Sequence, residues 1–250
     1  MYGTKLRYLA SIFVDAVSII ASTRNIAEVS RALGGDTFLP FVFEELSISQ
    51  GQSSRIGFRT ANGEWQLYLF HNRFNLSQHP TDQEGSNLGD FSAFCQEAGT
   101  KLAAILSGLR KRAHRLAAVQ EGLLPEMSPT EMEAVARRLL YLPPVFSQTP
   151  PFEWDWRAAS KIDRQIRELT EQTNTLATIK RQYGNITSNK DEENRAPIPF
   201  DRVRVDLDIN TTQDEVVDRF EEDHVQEFFT ISPRWHADFS AEIFSFILGR

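Results

Sequence analysis

Asp206 and Asp208 stand two residues apart in the run Phe200–Thr211, with Asn210 next and Asp201 just before. Carboxylates at that spacing share one face of a strand, and hard oxygen ligands so placed could hold Mg²⁺ for metal-assisted chemistry. Arg202 and Arg204 fall on the same face and offer a competing use, cross-strand ion pairing that consumes the acids. No downstream Glu-x-Lys completes a nuclease signature. A metal-dependent enzyme is therefore the third reading of the chain, and no cofactor is expected.

A second set is Trp154, Trp156, Arg157, Lys161, Arg164 and Arg167. Rings interleaved with cations can stack on bases and clamp phosphates, and Trp and Arg also anchor protein interfaces. The plainer use is two tryptophans in a sheet core with Arg on its rim. Other chemistries find little support. His224 and His236, with Glu221, Asp223 and Asp238, match no zinc spacing. Gly-x-Ser-x-Gly and a phosphate loop are both absent from the sequence. Cys95 lies among Phe91 and Phe94, as a buried thiol would, and a lone cysteine fits a reducing compartment, so a cytoplasmic location is expected. No window is long and apolar enough for a membrane span.

The elements that would position these residues follow from periodicity. Val203, Val205, Leu207 and Ile209 alternate with Arg202, Arg204, Asp206, Asp208 and Asn210, which predicts a central strand with one aliphatic and one polar face. Strands are also predicted over Tyr8–Ile20, Phe41–Ser49, Arg55–Ala61, Glu64–His71, His114–Leu124, Phe152–Ile162 and Thr173–Tyr183. Asn62-Gly63 predicts a type I′ hairpin. Helices are predicted after Thr23 or Asn25, from Phe91, from Ser128-Pro129, from Thr212 and over Ala237–Leu248, with a helix-free proline connection at 143–151. The residues from Ser188 to Ala196 hold no apolar side chain before Ala196, which predicts a mobile loop. Written as elements, the chain predicts an α+β fold of two similar β-α-β-β-β-α halves, 1–111 and 112–250, in one compact unit. Each half has an antiparallel sheet with helices on one face.

Charge is segregated. Net charge is −7 overall, yet residues 101–183 hold 13 basic and 9 acidic groups while 184–250 hold 7 and 15. The negative total disfavours general nucleic-acid binding, and a basic middle facing an acidic tail predicts an internal or intersubunit match.

The stretches Asn72-Arg73-Phe74-Asn75-Leu76, His114-Arg115-Leu116-Ala117 and Asp206-Leu207-Asp208-Ile209-Asn210-Thr211 resemble those of a sporadically distributed family of uncharacterised bacterial proteins of about this length. The resemblance implies a bacterial protein of variable gene content, tied to mobile elements or antiviral defence against phage, and brings no catalytic residues with it. Without a convergent catalytic set, the first reading is a non-catalytic cytosolic adaptor or complex subunit that binds a protein partner or itself. The second is a nucleic-acid-binding subunit using the basic region 101–183.

Overall fold

The computed structural model of the chain describes residues 2–35, 37–47, 51–82, 85–186 and 198–249. In chain order the elements are β1 (Thr4–Phe13), α1 (Thr23–Ala32), β2 (Phe38–Ser47), β3 (Gly51–Thr60), β4 (Trp65–Leu69), β5 (Arg73–Gln78) and α2 (Phe91–Gly108). There follow β6 (Arg115–Leu123), α3 (Pro129–Leu139), α4 (Val145–Gln148), β7 (Trp154–Ile166), β8 (Leu169–Ile186), β9 (Ile198–Thr211) and α5 (Glu222–Leu248). The segment 188–196, expected to be a loop, lies outside the described residues.

The alternation in the run before Thr211 is realised in β9. Val203, Val205, Leu207 and Ile209 are each no more than 1% exposed, and β8 is the strand's antiparallel hairpin partner from Ile186↔Ile198 to Thr173↔Thr211. The chain is α+β as expected, but its strands form one sheet, ordered β2-β3-β4-β5-β1-β6-β9-β8-β7. The joint is β1 against β6, paired from Thr4↔Leu123 to Phe13↔Arg115. Each of these strands would otherwise leave a row of unpaired backbone groups at a sheet edge, and joining them removes both edges.

The expected two-sheet pattern also miscounts the strands. Arg73–Gln78 is a fifth strand in the first half, with Phe74 and Leu76 inside and Arg73 and Asn75 outside. The Asn62-Gly63 hairpin exists, but Gly63 (φ 74°) has positive φ and Asn62 does not. Gly63 N–H donates to Thr60 O, which makes a type I turn closed by a left-handed glycine. Within the proline connection, Val145–Gln148 forms one helical turn. The acidic segment after Thr212 is not helical. The two expected C-terminal helices are one 27-residue helix that runs through Pro233. An interior proline costs about 3 kcal/mol. Burial of Val225, Phe228 and Phe229 before it and of Phe244 and Ile247 after it offsets that cost.

Helices α1, α2, α3 and α5 all pack on one face of the sheet. The larger core joins Tyr8, Ile12, Phe58, Leu67, Phe74 and Leu116 to α1, α2 and the first half of α5. A second joins Ala177, Ile179, Val205 and Leu207 to α3 and the end of α5. Helices α2 and α5 approach closely at Gly99, where an added Cβ would lie 2.8 Å from Phe229 Cβ. No helix among the described residues is long and apolar enough to cross a membrane.

His236 ties α5 to the sheet. It is 2% exposed, and its Nε2–H donates to Ala118 O at 2.9 Å. Burial, aided by the charge of Arg164 and opposed by that hydrogen bond, lowers its pKa from 6.5 to about 4. The unfolded chain therefore takes up a proton at a pH where the folded chain refuses it. Stability present at neutral pH should fall by up to about 3 kcal/mol as pH drops from about 6.5 to about 4. Urea unfolding across that range should show the slope, and His236→Gln should flatten it. An unchanged slope in the variant would refute the assignment.

Candidate nucleic-acid interface

The opposite face of the sheet carries none of these four helices. On β2 both faces carry apolar residues, and Phe41 and Phe43 join Tyr68 of β4 and Phe70 just after it as a second set of aromatic side chains there. Phe41, Phe43, Tyr68 and Phe70 are all partly exposed and touch one another. Ring centroids are 5.5 Å apart for Phe41–Tyr68, 5.2 Å for Phe43–Tyr68 and 5.5 Å for Phe43–Phe70, all edge-to-face. Tyr68 and Phe70 stack at 5.8 Å with 16° between planes. Gly57 makes the seat for Phe41, since an added Cβ would lie 2.2 Å from that ring.

Three guanidiniums lie over rings on this face. Arg73 is 4.7 Å from the centroid of Phe70, Arg115 is 4.6 Å from Phe13, and Arg59 is 5.7 Å from Phe41. Such cation–π contacts hold an Arg in place while its edge stays available to an anion. Among the described residues none of the three has a carboxylate within ion-pair distance. Arg115 donates to Asn210 Oδ1 at 2.9 Å and to Gln213 Oε1 at 3.4 Å. Burial lowers the pKa of Arg115, and the carboxylate of Asp208 opposes the shift.

Register places these side chains in two rows across the strands. One runs Phe70, Arg73, Phe13, Arg115: Phe70 N–H donates to Arg73 O, and Arg73↔Phe13 and Phe13↔Arg115 are opposed pairs. The next runs Phe41, Gly57, Tyr68, Asn75, Ser11, Ala117, Asn210. Ser11 Oγ donates to Asn75 Oδ1 at 2.9 Å.

Asp206 and Asp208 lie farther along the same face. Arg204 Nε donates to Asp206 at 2.7 Å, and Arg204 also pairs with Glu121, which Arg7 holds from the other side. Asp208 accepts from Asn210 Nδ2 at 2.9 Å. Burial raises the pKa of both acids, against the pull of Arg204 on Asp206 and of Asn210 on Asp208. Among the described residues no group of three or more His, Cys, Asp or Glu is placed to hold a metal ion. His224 and His236 lie 12 residues apart on α5, roughly 18 Å along its axis. His224 instead pairs with Glu168 at 2.8 Å. Cys95 is fully buried, and burial pushes its thiol pKa up, away from thiolate chemistry.

The six Trp, Arg and Lys residues singled out in the sequence are not brought together. Trp154 is buried in the second core and Trp156 packs against it. Arg164 lies on the helix side, 4.4 Å from the Trp235 ring. Arg167 sits in the β7–β8 turn (φ 52°) beside Glu168 and Asp223. Arg157 and Lys161 reach the open face, where Lys161 pairs with Asp214 at 3.0 Å. Four of the 13 basic groups of 101–183 are met by the acidic tail, in Arg112–Glu221, Lys161–Asp214, Arg167–Asp223 and Arg181–Asp201. Arg115, of the same region, has no carboxylate within ion-pair distance among the described residues. The sequence signal for the aromatic and Arg face is the second apolar face of β2, which carries Phe41 and Phe43.

Compared with protein-family models and with curated proteins, the chain matches none. Among solved structures it is similar to the rolling circle replication initiator protein from Geobacillus stearothermophilus. Identity is 10%, with 91% of this chain and 78% of that one covered, at a TM-score of 0.30. At that TM-score none of the initiator's chemistry is carried over. Nothing in these comparisons supports the expected non-catalytic adaptor tied to phage defence, and that expectation is set aside.

Proposed function

We propose that this protein binds nucleic acid through the open face of its sheet. The observation that carries the reading is the set of guanidiniums of Arg59, Arg73 and Arg115, each over an aromatic ring and, among the described residues, none within ion-pair distance of a carboxylate. Arg pairs with phosphate through a planar fork, and rings beside it can take bases. The chain's net charge of −7 repels a polyanion elsewhere and leaves this face as the place of contact. In this reading the two halves divide the work: 1–111 supplies the rings with Arg59 and Arg73, and 112–250 supplies Arg115 and the paired acids. The single buried thiol of Cys95 fits a cytoplasmic setting.

Fluorescence anisotropy with labelled DNA and RNA oligonucleotides tests the reading. Each phosphate neutralised contributes about 0.7–0.9 to the slope of log affinity against log salt, so three contacts give a slope of roughly −2 to −3. Arg59→Glu with Arg73→Glu should remove most of that slope and weaken binding at all sequences. If no oligonucleotide binds at about 50 mM salt, where phosphate contacts are strongest, or if the double variant binds as well as wild type, the reading is wrong.

A further inference from the structure

We infer that the ligand of this face is single-stranded nucleic acid, laid across the strands with its bases on the rings; the inference rests on the nucleic-acid reading above. The first ground is width. The rings and cations span six adjacent strands, from β2 to β6. At about 4.8 Å per strand spacing that is roughly 24 Å, twice the width of the major groove at about 12 Å. A broad sheet cannot enter either groove, so a duplex could only rest its backbone on the rings.

The second ground is the chemistry of the rows. Tyr68 and Phe70 stay partly exposed, so part of their ring surface is open to contact by an unstacked base. Along the first row ring and guanidinium alternate, as bases and phosphates do along a splayed strand. The neighbouring row supplies amides. Among the described residues the side-chain N–H groups of Asn75 have no protein partner, while its Oδ1 accepts from Ser11.

The test uses the full chain with a mixed-sequence oligonucleotide of about twelve nucleotides, within the usual site size, offered as single-stranded DNA, as single-stranded RNA and as the matching DNA duplex. At least one single strand should bind about tenfold or more tightly than the duplex, and Tyr68→Ala should weaken that binding about tenfold. Phe70→Leu keeps the apolar volume and removes the ring, so it should show the loss of stacking even where Tyr68→Ala fails to fold. Duplex binding at equal or greater strength, unaffected by either variant, would overturn the single-strand inference and leave the phosphate-binding face standing. Absence of binding to all three would overturn both.

Discussion

Arg55→Leu is expected to cost about 3–5 kcal/mol, the range for breaking a buried ion pair by removing one partner. The side chain is 1% exposed, and its Nε lies 3.0 Å from Glu45 Oε2. Its Nη1 donates to the carbonyls of Ala16, Val17 and Ile19 at 3.0–3.2 Å. One guanidinium thus satisfies three carbonyls of the segment between β1 and α1 and one carboxylate of β2. Burial pushes the Glu45 pKa up, but hydrogen bonds from His71 and the charge of Arg55 pull it below the usual carboxylate range. Removing Arg55 strands that carboxylate with only His71, whose Nδ1 lies 2.7 Å away. For a chain of this size the loss corresponds to a fall in Tm of roughly 6–20 °C. Adding Glu45→Leu should recover part of it, because the uncompensated charge is then gone. A Tm within a degree or two of wild type in the single variant would show that water already serves these carbonyls.

The same ion pair bears on the proposed interface. Phe43 lies opposite Arg55 and is an edge-to-face neighbour of Phe70. A milder loss of oligonucleotide affinity is therefore expected in any Arg55 variant that stays folded.

Local pattern made much of this fold legible, while partner choice stayed hidden. Ser128 and Glu131 form the expected reciprocal cap of α3, since a capping box is a contact over three residues. Strand β9 and its hairpin partner β8 were likewise legible, because alternation and adjacency suffice. The single sheet was not, because β1 meets β6 across more than a hundred residues and neither sequence states which edge it wants. Strand β5 was hidden by its polar positions, since Arg73, Asn75, Ser77 and Gln78 leave only Phe74 and Leu76 as apolar strand residues, and Pro233 disguised one helix as two.

The interface was obscured for a different reason. Phe13, Phe41, Phe43, Tyr68 and Phe70 come from separate stretches, and each reads alone as a core residue. Only the sheet order puts them on one surface, and only the helices' choice of the other face leaves them exposed. Parity carried one unused warning. Trp154, Trp156 and Arg164 are even-numbered positions of β7, and Arg157 and Lys161 are odd, so a strand cannot place them on one face.

The faces of β9 supply the second large effect. Val205→Asp is expected to cost more than about 4 kcal/mol and to give insoluble protein, because it buries an unpaired carboxylate. Val205 is fully buried in the apolar cluster that holds Ala177, Ile179, Leu207, Phe244 and Ile247. Its neighbour Asp206 points the other way and already has Arg204 at 2.7 Å. Burial raises the pKa of Asp206 and Asp208, so their ionised forms are disfavoured by folding at neutral pH. The pair Asp206→Asn and Asp208→Asn should therefore keep or slightly raise the Tm at neutral pH, and lose that advantage in acid, where the native acids become protonated. Thermal melts of the three proteins at two pH values check both halves of the argument. A soluble, cooperatively melting Val205→Asp would mean that the aliphatic face of β9 is open. A collapse of the Asn double variant would mean that the two acids hold the sheet together through their charge.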